Sequence, residues 1–473
     1  MTKPCLLWIR RDLRTTDHEA LAAACARGAP VIPVFIRDDS VTGLGAAPAL
    51  RLDLGLAAFA ERLGEKGSRL ILRSGDPRAV LRDLVTETGA GAVYWQRLYD
   101  PAAIARDSAV KSALREDGLE AESFAGHLLF EPWTVETGQG GFYKVYSPFW
   151  KAVRGRDVAP VRSAPTEIAA PDTWPDSEAL EDWQLSAPMR RGRAVVAAHV
   201  AAGEQAAQQQ LALFARDRIA DYKAERDFPD REGTSDLSHY LTVGEISPRQ
   251  CWHAGCRALE EGKPGAETFL KEVVWREFAY HLMYHSPHIL TRNWREDWDG
   301  FDWRDEEEDA RVLAWKQGRT GVAFVDAAMR ELFVTGRMHN RARMITASYL
   351  TKHLLVHWRI GQKWFEDCLV DWDPASNAMG WQWVAGSGPD AAPYFRIFNP
   401  ETQAGKFDPD ARYRRRWLAE GQKDPGAEAL SFYEAAPRSW GLSPGDEPPA
   451  PLIDLKAGRE RALSAYATLK DNS

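Results

Sequence analysis

The sequence has few cysteines, no long apolar run and no excess of positive charge. Its five cysteines in 473 residues form no CxxC pair, so neither a disulfide framework nor a zinc or other metal site is indicated. No apolar run reaches the length of a membrane-spanning helix. The net charge of −8 excludes a general polycation, so any nucleic acid must bind a local basic surface. Candidates are residues 337–359 and 412–417, although the run 412–416 fits a solvated helix or loop face equally well.

Short apolar runs alternate with Ala-rich helical stretches in the first part of the chain. The runs predict strands at 4–9, 31–36, 69–73 and 92–95, and the stretches between them predict helices that include 18–26, 49–64 and 101–115. This alternation predicts a Rossmann-like α/β domain with a parallel sheet covered on both faces, which we place at residues 1–130.

The composition changes after this domain. From about 155 to 190 it is rich in Pro, Ser, Asp and Glu without sustained periodicity, so we assign 131–195 to an interdomain linker. Residues 196–473 have helical patterns broken by Pro or Gly, which predicts an all-α domain. Residues 1–4 lead directly into an apolar strand without the features of a secretory signal, and we therefore expect a cytoplasmic protein.

Charged and aromatic residues are concentrated in two neighbouring stretches of the helical part. The first runs from Asn340 to Arg359, and the second from Asp371 to Trp383. The surrounding residues are apolar enough to be buried, and a core takes in Arg and Asp only when they are paired or hold a polar ligand. Indoles beside paired charges suggest a pocket for a flat, polar, redox-active ring system.

These stretches belong to a set of ordered blocks that resembles the photolyase/cryptochrome family of blue-light flavoproteins. The blocks are Trp8–Arg14, Gly233–Ser238 with Ser247–Arg249, Trp275–Phe278, Thr320–Arg330, Asn340–Arg359, Asp371–Trp383 and Phe395–Pro400. The resemblance covers nearly the whole chain and implies an N-terminal antenna domain followed by a helical domain that binds FAD and DNA. Ala323 departs from the family pattern, which usually has Pro there.

The resemblance implies a set of FAD contacts. They are Tyr222, Thr234, Ser235, Leu237, Ser238, Arg343, Asp371, Asp373 and Asn377. The residues from Thr234 to Ser238 precede a predicted helix, where hydroxyls and free N–H groups suit a pyrophosphate, although an ordinary N-cap has the same pattern. Arg343 and Asp371 match the ion pair beside the flavin ring. Asn377 matches the residue facing the flavin N5, which is Asn in photolyases, typically Asp in plant-type cryptochromes and often Cys in animal-type ones.

The resemblance also implies a pocket for damaged DNA. Its members are Glu272, Trp275, Asn340, Arg341, Met344 and Trp383. Glu272 would hydrogen-bond the damaged bases and donate or share a proton, although without the resemblance it reads as a surface carboxylate. Asn340 and Met344 occupy the positions at which (6-4) photolyases have a His pair, which favours a cyclobutane dimer as the lesion. Arg341 would contact the lesion or its phosphate backbone.

The resemblance also implies an electron-transfer chain and a light-harvesting antenna. Trp381, Trp358 and Trp303 match the family's electron-transfer chain; the alternative is that all three indoles only fill the core. Ala102 and Ala103 replace the Asn-Glu pair of class I folate-binding photolyases. The stretches 98–101 and 128–133 are instead similar to plant cryptochromes and class III photolyases, which implies a 5,10-methenyltetrahydrofolate antenna whose contacts the sequence does not specify.

The sequence therefore predicts light-driven repair of cyclobutane pyrimidine dimers, with FAD active as the fully reduced anion. Class III photolyases are the subgroup that it resembles most. The alternative is a cryptochrome photoreceptor that signals through flavin photoreduction; Asn377 and the absence of a long tail after residue 470 argue against it. UV-damaged DNA is the expected partner, with no membrane or metal and with a monomeric state. A nucleotide hydrolase built on the N-terminal sheet lacks a phosphate-loop motif.

Overall fold

The N-terminal part of the chain folds around a parallel five-stranded sheet. The structure is a computed structural model that describes residues 3–390, 394 and 396–471. The strands are β1 (Cys5–Ile9), β2 (Val31–Arg37), β3 (Ile71–Ser74), β4 (Ala92–Gln96) and β5 (Glu120–Phe124), in the order β3-β2-β1-β4-β5. Every pairing is parallel, and the predicted α/β class is confirmed.

Helices cover both faces of this sheet. They are α1 (Glu19–Ala26), α2 (Asp39–Thr42), α3 (Ala46–Gly64), α4 (Pro77–Thr88) and α5 (Pro101–Glu116). Separate apolar clusters form on the two faces, one including Leu56 of α3 and the other including Leu84 of α4. The order of the strands places the carboxyl ends of β1 and β4 side by side, where ligands of open α/β sheets bind.

The connection between the two parts has little regular structure. It contains α6 (Tyr146–Val153) and 3-10 turns at Pro132–Thr134, Leu180–Trp183 and Ala187–Met189, and residues 157–179 form neither helix nor strand. Tyr146 and Phe149 of α6 pack on Phe278, which lies in the helical part. The domain boundaries at 130 and 195 stay predictions.

The C-terminal part is helical, as predicted. Its α-helices are α7 (Gly192–Ala197), α8 (Glu204–Leu213), α9 (Tyr222–Glu225), α10 (Ser238–Val243), α11 (Pro248–Glu260), α12 (Ala266–His285), α13 (Ala310–Lys316), α14 (Ala323–Thr335), α15 (Asn340–Ser348), α16 (Trp358–Cys368), α17 (Pro374–Ala385), α18 (Pro400–Phe407), α19 (Arg412–Trp417), α20 (Ala427–Ala435) and α21 (Leu455–Asp471). Further turns are 3-10 at Pro287–Leu290, Glu296–Trp298 and Arg438–Trp440, and π-helical at Phe214–Arg218 and Tyr349–His353. Its main apolar cluster includes Trp315, Trp358 and Trp381.

The segment Trp8–Arg14, at the end of β1 and just after it, joins the two parts. Gly244, at a φ of 76°, ends α10 so close to this segment that a Cβ would lie 2.1 Å from the Arg11 carbonyl oxygen. The Leu13 amide donates to the Val243 carbonyl at 3.1 Å. Arg51 of α3 forms a fully buried ion pair with Glu245. The segment Trp8–Arg14 is thus seated against the helical part, beside the residues predicted to bind FAD.

Candidate flavin and lesion site

The segment predicted to bind a pyrophosphate folds back onto α9. Gly233 makes this possible, since a Cβ there would lie 2.7 Å from the Glu225 carbonyl oxygen at the end of α9. Tyr222 of α9 and Leu237 are buried in the same apolar cluster. Thr234 and Ser235 are half-buried and Ser238 is exposed at the first turn of α10. None of the three hydroxyls hydrogen-bonds to any residue that the structure describes, which leaves them available to an anion.

Arg343 and Asp371 form the predicted ion pair. The Arg343 Nη2 atom lies 2.9 and 2.8 Å from the two carboxylate oxygens of Asp371. Arg343 also donates from Nε to the Met338 carbonyl at 2.8 Å. The Asp371 side chain is 6% exposed and that of Arg343 is 28% exposed. The pair thus buries its carboxylate while part of the Arg343 side chain stays exposed.

The Asp373 carboxylate is already fully engaged within the protein. Its Oδ1 caps α17 by accepting from the Ser376 amide at 2.9 Å, and its Oδ2 accepts from Tyr280 at 2.5 Å and from Arg11 at 3.2 Å. Burial by itself would raise the pKa of this carboxyl, but Arg11 and the hydrogen bonds hold it below its ordinary value. A contact between Asp373 and the flavin stays a prediction, and it would share an oxygen that these donors already use.

Asn377 lies one turn into α17 with one polar atom in use. Its Nδ2 donates to the Gln362 carbonyl of α16 at 3.1 Å. Its Oδ1 accepts no hydrogen bond from the residues that the structure describes. The amide is thereby fixed in orientation and offers an acceptor, which fits a ligand N–H such as that of a reduced flavin. Together with the unpaired hydroxyls near α10 and the Arg343 guanidinium, this donor and acceptor set fits FAD.

Glu272 and Trp275, three residues apart, share one face of α12. Trp275 is half-buried and stacks face to face on Tyr146, with ring centroids 3.7 Å apart and planes 6° from parallel. Glu272 forms an ion pair with Arg226, and its side chain is 35% exposed. The Glu272 carboxylate is therefore paired and partly open to solvent in the protein alone.

Two adjacent residues, Arg226 and Asp227, form ion pairs with predicted lesion-binding residues on two different helices. Arg226 pairs with Glu272 of α12, while Asp227 pairs with the Arg341 guanidinium of α15 at 2.8 Å. The Arg341 guanidinium also lies over the Phe407 ring, 4.5 Å from its centroid. Arg341 is thus oriented from two sides. Any contact that it makes with DNA competes with an existing partner.

The remaining predicted lesion residues lie on α15 and α17. Asn340 is exposed at the start of α15, and Met344, half-buried, lies four residues later on the same face. Trp383 is half-buried near the end of α17 and packs against the main apolar cluster. Helices α15 and α17 contact each other, and a shared lesion pocket formed by these residues stays a prediction. Phe395, which begins the last block of the sequence, lies outside the described residues.

Two of the three predicted electron-transfer tryptophans are buried in the core, and the third is partly buried. Trp358 and Trp381 are 0% and 3% exposed, whereas Trp303 is only partly buried. Trp381 lies against Gly361 of α16, where a Cβ would be 2.0 Å from its Cη2, and Gly361 follows Trp358 by one helical turn. The His357 ring lies 5.7 Å from Trp303 and 5.5 Å from Trp358. The series runs from the core towards the surface.

Comparison with known proteins identifies the family to which this chain belongs. Residues 5–168 match the family described as DNA photolyase, and residues 269–468 match the FAD binding domain of DNA photolyase. The chain is 47% identical to the deoxyribodipyrimidine photo-lyase of Agrobacterium fabrum, over 99% of this chain and 98% of that protein. The chain belongs to the photolyase/cryptochrome family.

Other family members agree with this placement. A crystal structure of a bacterial class III photolyase from Agrobacterium tumefaciens superposes with a TM-score of 0.90 at 45% identity, covering 100% of this chain and 98% of that one. Cryptochrome-2 of Arabidopsis thaliana is 32% identical over 100% of this chain and 80% of that protein. The predicted membership of the photolyase/cryptochrome family is confirmed, and the family's FAD-binding domain is present.

Sequence reasoning missed several residues that organise this photolyase-family site. Arg226 and Asp227 were not singled out, although they follow closely after Tyr222 in a stretch rich in charged residues. Tyr146 was assigned to the linker, where only the aromatic run Tyr146–Trp150 marked it as unusual. Arg11 was recognised as part of a motif but given no partner. Each makes its contact with a residue that is distant in the sequence.

In the part of the chain that the structure describes, no helix has the length and apolar character needed to cross a bilayer. The same described residues include no group of His, Cys, Asp or Glu side chains that could hold a metal ion.

Proposed function

We propose that the protein repairs cyclobutane pyrimidine dimers in DNA by light-driven electron transfer, as a photolyase most similar to class III. The observation that carries the proposal is the Arg226–Asp227 pair, which fixes Glu272 of α12 and Arg341 of α15 at one site. Relatives with full-length similarity are named for this activity. The neutral amide at Asn377 favours repair over photoreception.

Reduced FAD, when bound and excited by light, supplies the single electron that opens the dimer and then takes it back. The residues around it bind and tune it. Thr234, Ser235 and Ser238 are free to donate to a pyrophosphate, and Arg343 places a positive charge beside the ring, where it favours the fully reduced anion. Asn377 offers Oδ1 as an acceptor without adding a negative charge.

The lesion residues act on a dimer flipped out of the duplex. Trp275 and Trp383 offer aromatic surfaces that offset the cost of unstacking, which is a few kcal/mol. Glu272 accepts hydrogen bonds from the damaged bases, and Arg226 balances its charge when DNA excludes water from the pocket. Asn340 and Met344 present an amide and a thioether to the dimer, neither of which transfers protons as a His pair would.

The tryptophan series would pass electrons from an external donor at its partly exposed end to an oxidised cofactor. Trp381 and Trp358 are the buried members of the series, and Trp303 is the partly exposed end. Close packing of Trp381 on Gly361 holds it next to the Trp358 turn of α16. We expect electrons to move inward along this series, from Trp303 through Trp358 to Trp381.

The antenna has a candidate position at the carboxyl end of β4. A cleft of about 230 Å³ lies there, lined among others by Trp95, Arg97, Tyr99, Lys111, Trp133 and Tyr284. Its aromatic walls suit a flat ring, and its two cations suit the carboxylates of 5,10-methenyltetrahydrofolate. Loss of folate fluorescence transfer in Trp133→Ala, with FAD content unchanged, would support this position; an unchanged transfer would contradict it.

The decisive experiment measures dimer loss from a thymine-dimer oligonucleotide in blue light and in darkness. Photoreduced wild-type protein, Glu272→Ala and the matched control Glu267→Ala are compared; Glu267 is an exposed carboxylate on the same helix. We expect light-dependent repair that falls at least tenfold in Glu272→Ala only, because a hydrogen bond to a charged group is lost. A protein that photoreduces but leaves dimers intact would instead be a photoreceptor.

A further inference from the structure

Tyr146 of the linker is the outer layer of one wall of the lesion pocket. Its ring lies parallel to Trp275, 3.7 Å between centroids, and covers one face of the indole. Tyr146 is 8% exposed, whereas Trp275 stays half-buried. The stack therefore leaves Trp275 with a single face to offer a base.

The protein holds Tyr146 in place from three directions. Its hydroxyl donates to the Lys271 carbonyl at 2.6 Å, one turn before Trp275 on α12. Its amide donates to Asp390 Oδ1 at 3.1 Å. Its ring packs edge-on against Phe278, 5.8 Å away. A side chain restrained at its ring, its hydroxyl and its backbone fixes the plane of whatever stacks on it.

The contact with Asp390 links Tyr146 to the segment after the helix that carries Trp383, the second predicted aromatic wall of the lesion pocket. Asp390 follows the end of α17, the helix that carries Trp383, and its amide in turn donates to the Lys144 carbonyl at 3.1 Å. The segment 144–146 and the segment after α17 are thus joined by two hydrogen bonds. Trp275 and Trp383 are thereby connected through the linker as well as through the helical core.

We propose that Tyr146 is a positioning residue for lesion recognition, which sets the plane of Trp275 and couples it through Asp390 to the wall containing Trp383. This proposal rests on the proposed repair function. It assigns to the linker a part in distinguishing damaged from undamaged DNA. Removing the Tyr146 ring releases Trp275 to tilt into the space left behind, which lowers its stacking with the flipped dimer.

The test compares Tyr146→Leu, Tyr146→Phe and Phe149→Leu, with binding measured in darkness. Phe149 is a matched control, because it is a buried ring of the same helix that packs on Phe278 and His281. The affinity for a dimer-containing oligonucleotide is divided by that for the undamaged sequence. We expect this ratio to fall about three- to tenfold in Tyr146→Leu, the size of an aromatic pair contribution, and to stay within about twofold of wild type in the other two.

A second readout reports the plane of Trp275 without DNA. Fluorine NMR of protein labelled with a fluorinated tryptophan, with Trp275→Phe to identify its resonance, should show that resonance shifted or broadened in Tyr146→Leu and unchanged in Phe149→Leu. An unmoved resonance, or a binding ratio equally reduced in Phe149→Leu, would overturn the proposal. A wild type without preference for damaged DNA would refute the repair function, while the NMR result would still decide whether Tyr146 positions Trp275.

Discussion

The Arg11 Nη2 atom lies 3.2 Å from Oδ2 of Asp373, so a residue of the sheet domain donates to the cap of α17. The Arg11 Nε atom donates to the Thr242 carbonyl at 2.8 Å, and the Thr242 hydroxyl reaches the Trp372 carbonyl at 2.5 Å. The helix bearing Asn377 therefore begins at a contact between the two domains. The motif following β1 thus contacts the start of the helix that carries Asn377.

Replacing Arg11 by Met should destabilise the protein by about 2 to 4 kcal/mol, because it leaves the buried Asp373 carboxylate without its cation. Chemical denaturation measures this change. Arg82→Met, which breaks an exposed pair with Asp117, should cost less than about 1 kcal/mol. Adding Asp373→Asn to Arg11→Met should recover part of the loss, and a double variant that is no more stable than Arg11→Met would contradict this explanation.

Gly361→Ala should slow photoreduction of bound FAD. The new Cβ would lie 2.0 Å from Trp381 Cη2, so the indole must move away from α16. We expect a loss of about 1 to 3 kcal/mol in stability and a slower light-driven reduction in the presence of a donor, measured by flavin absorbance. Gly405→Ala in α18 meets no neighbouring atom and serves as the control. Equal photoreduction rates in both variants would remove Trp381 from the electron path.

Asn377→Asp should reduce repair at least tenfold, which corresponds to about 1.4 kcal/mol. A carboxylate there would face the Gln362 carbonyl, to which the amide now donates, and would add negative charge beside the ring. The reduction potential of bound FAD should fall, as spectroelectrochemistry would reveal. Asn399→Asp places the same charge at the cap of α18, where Asp is an equally good cap, and should leave both values unchanged.

Glu277 should make stability depend on pH. Burial raises the pKa of this carboxyl to about 7, although it accepts from the Leu129 amide at 2.8 Å and the Phe130 amide at 3.2 Å. A raised pKa stabilises the folded state below the unfolded pKa, and this contribution is lost as the pH rises through about 7. Relative to Glu277→Gln, wild type should lose up to about 3 kcal/mol between pH 5 and pH 8.

Denaturant titrations across that range provide the measurement. The exposed Glu267→Gln serves as the reference variant, with no such trend expected. A constant difference between wild type and Glu277→Gln would show that Glu277 does not gain a proton on folding.

The sequence predicted the features that depend on spacing along one helix or on a regular period. Glu272 with Trp275 and Asn340 with Met344 lie on shared faces because three and four residues make one turn. Strand β5 was missed because its residues alternate with Glu at an exposed edge, without the continuous apolar run of the central strands. Helix α4 was not singled out, although Asp76 caps it and Pro77 begins it.

The contacts that shape the site could not be predicted in the same way. Arg226 with Glu272 and Tyr146 with Trp275 join residues that only the folded chain brings together. A half-buried indole or carboxylate can contact many kinds of side chain, and the local sequence does not determine which distant residue it meets. Asp373 shows the reverse case, since its position was predicted while its two donors, Arg11 of the sheet domain and Tyr280 of α12, were not.

The stack of Tyr146 on Trp275 limits how freely this architecture can exchange parts during evolution. A chimera that took its sheet domain and connecting segment from a distant relative would bring a new neighbour to Trp275 and a new partner to Asp390. Such a protein could fold and hold its cofactor yet select its substrate poorly. Recombination at residue 195 is therefore expected to be less successful than recombination before Tyr146, provided that Arg11 is retained.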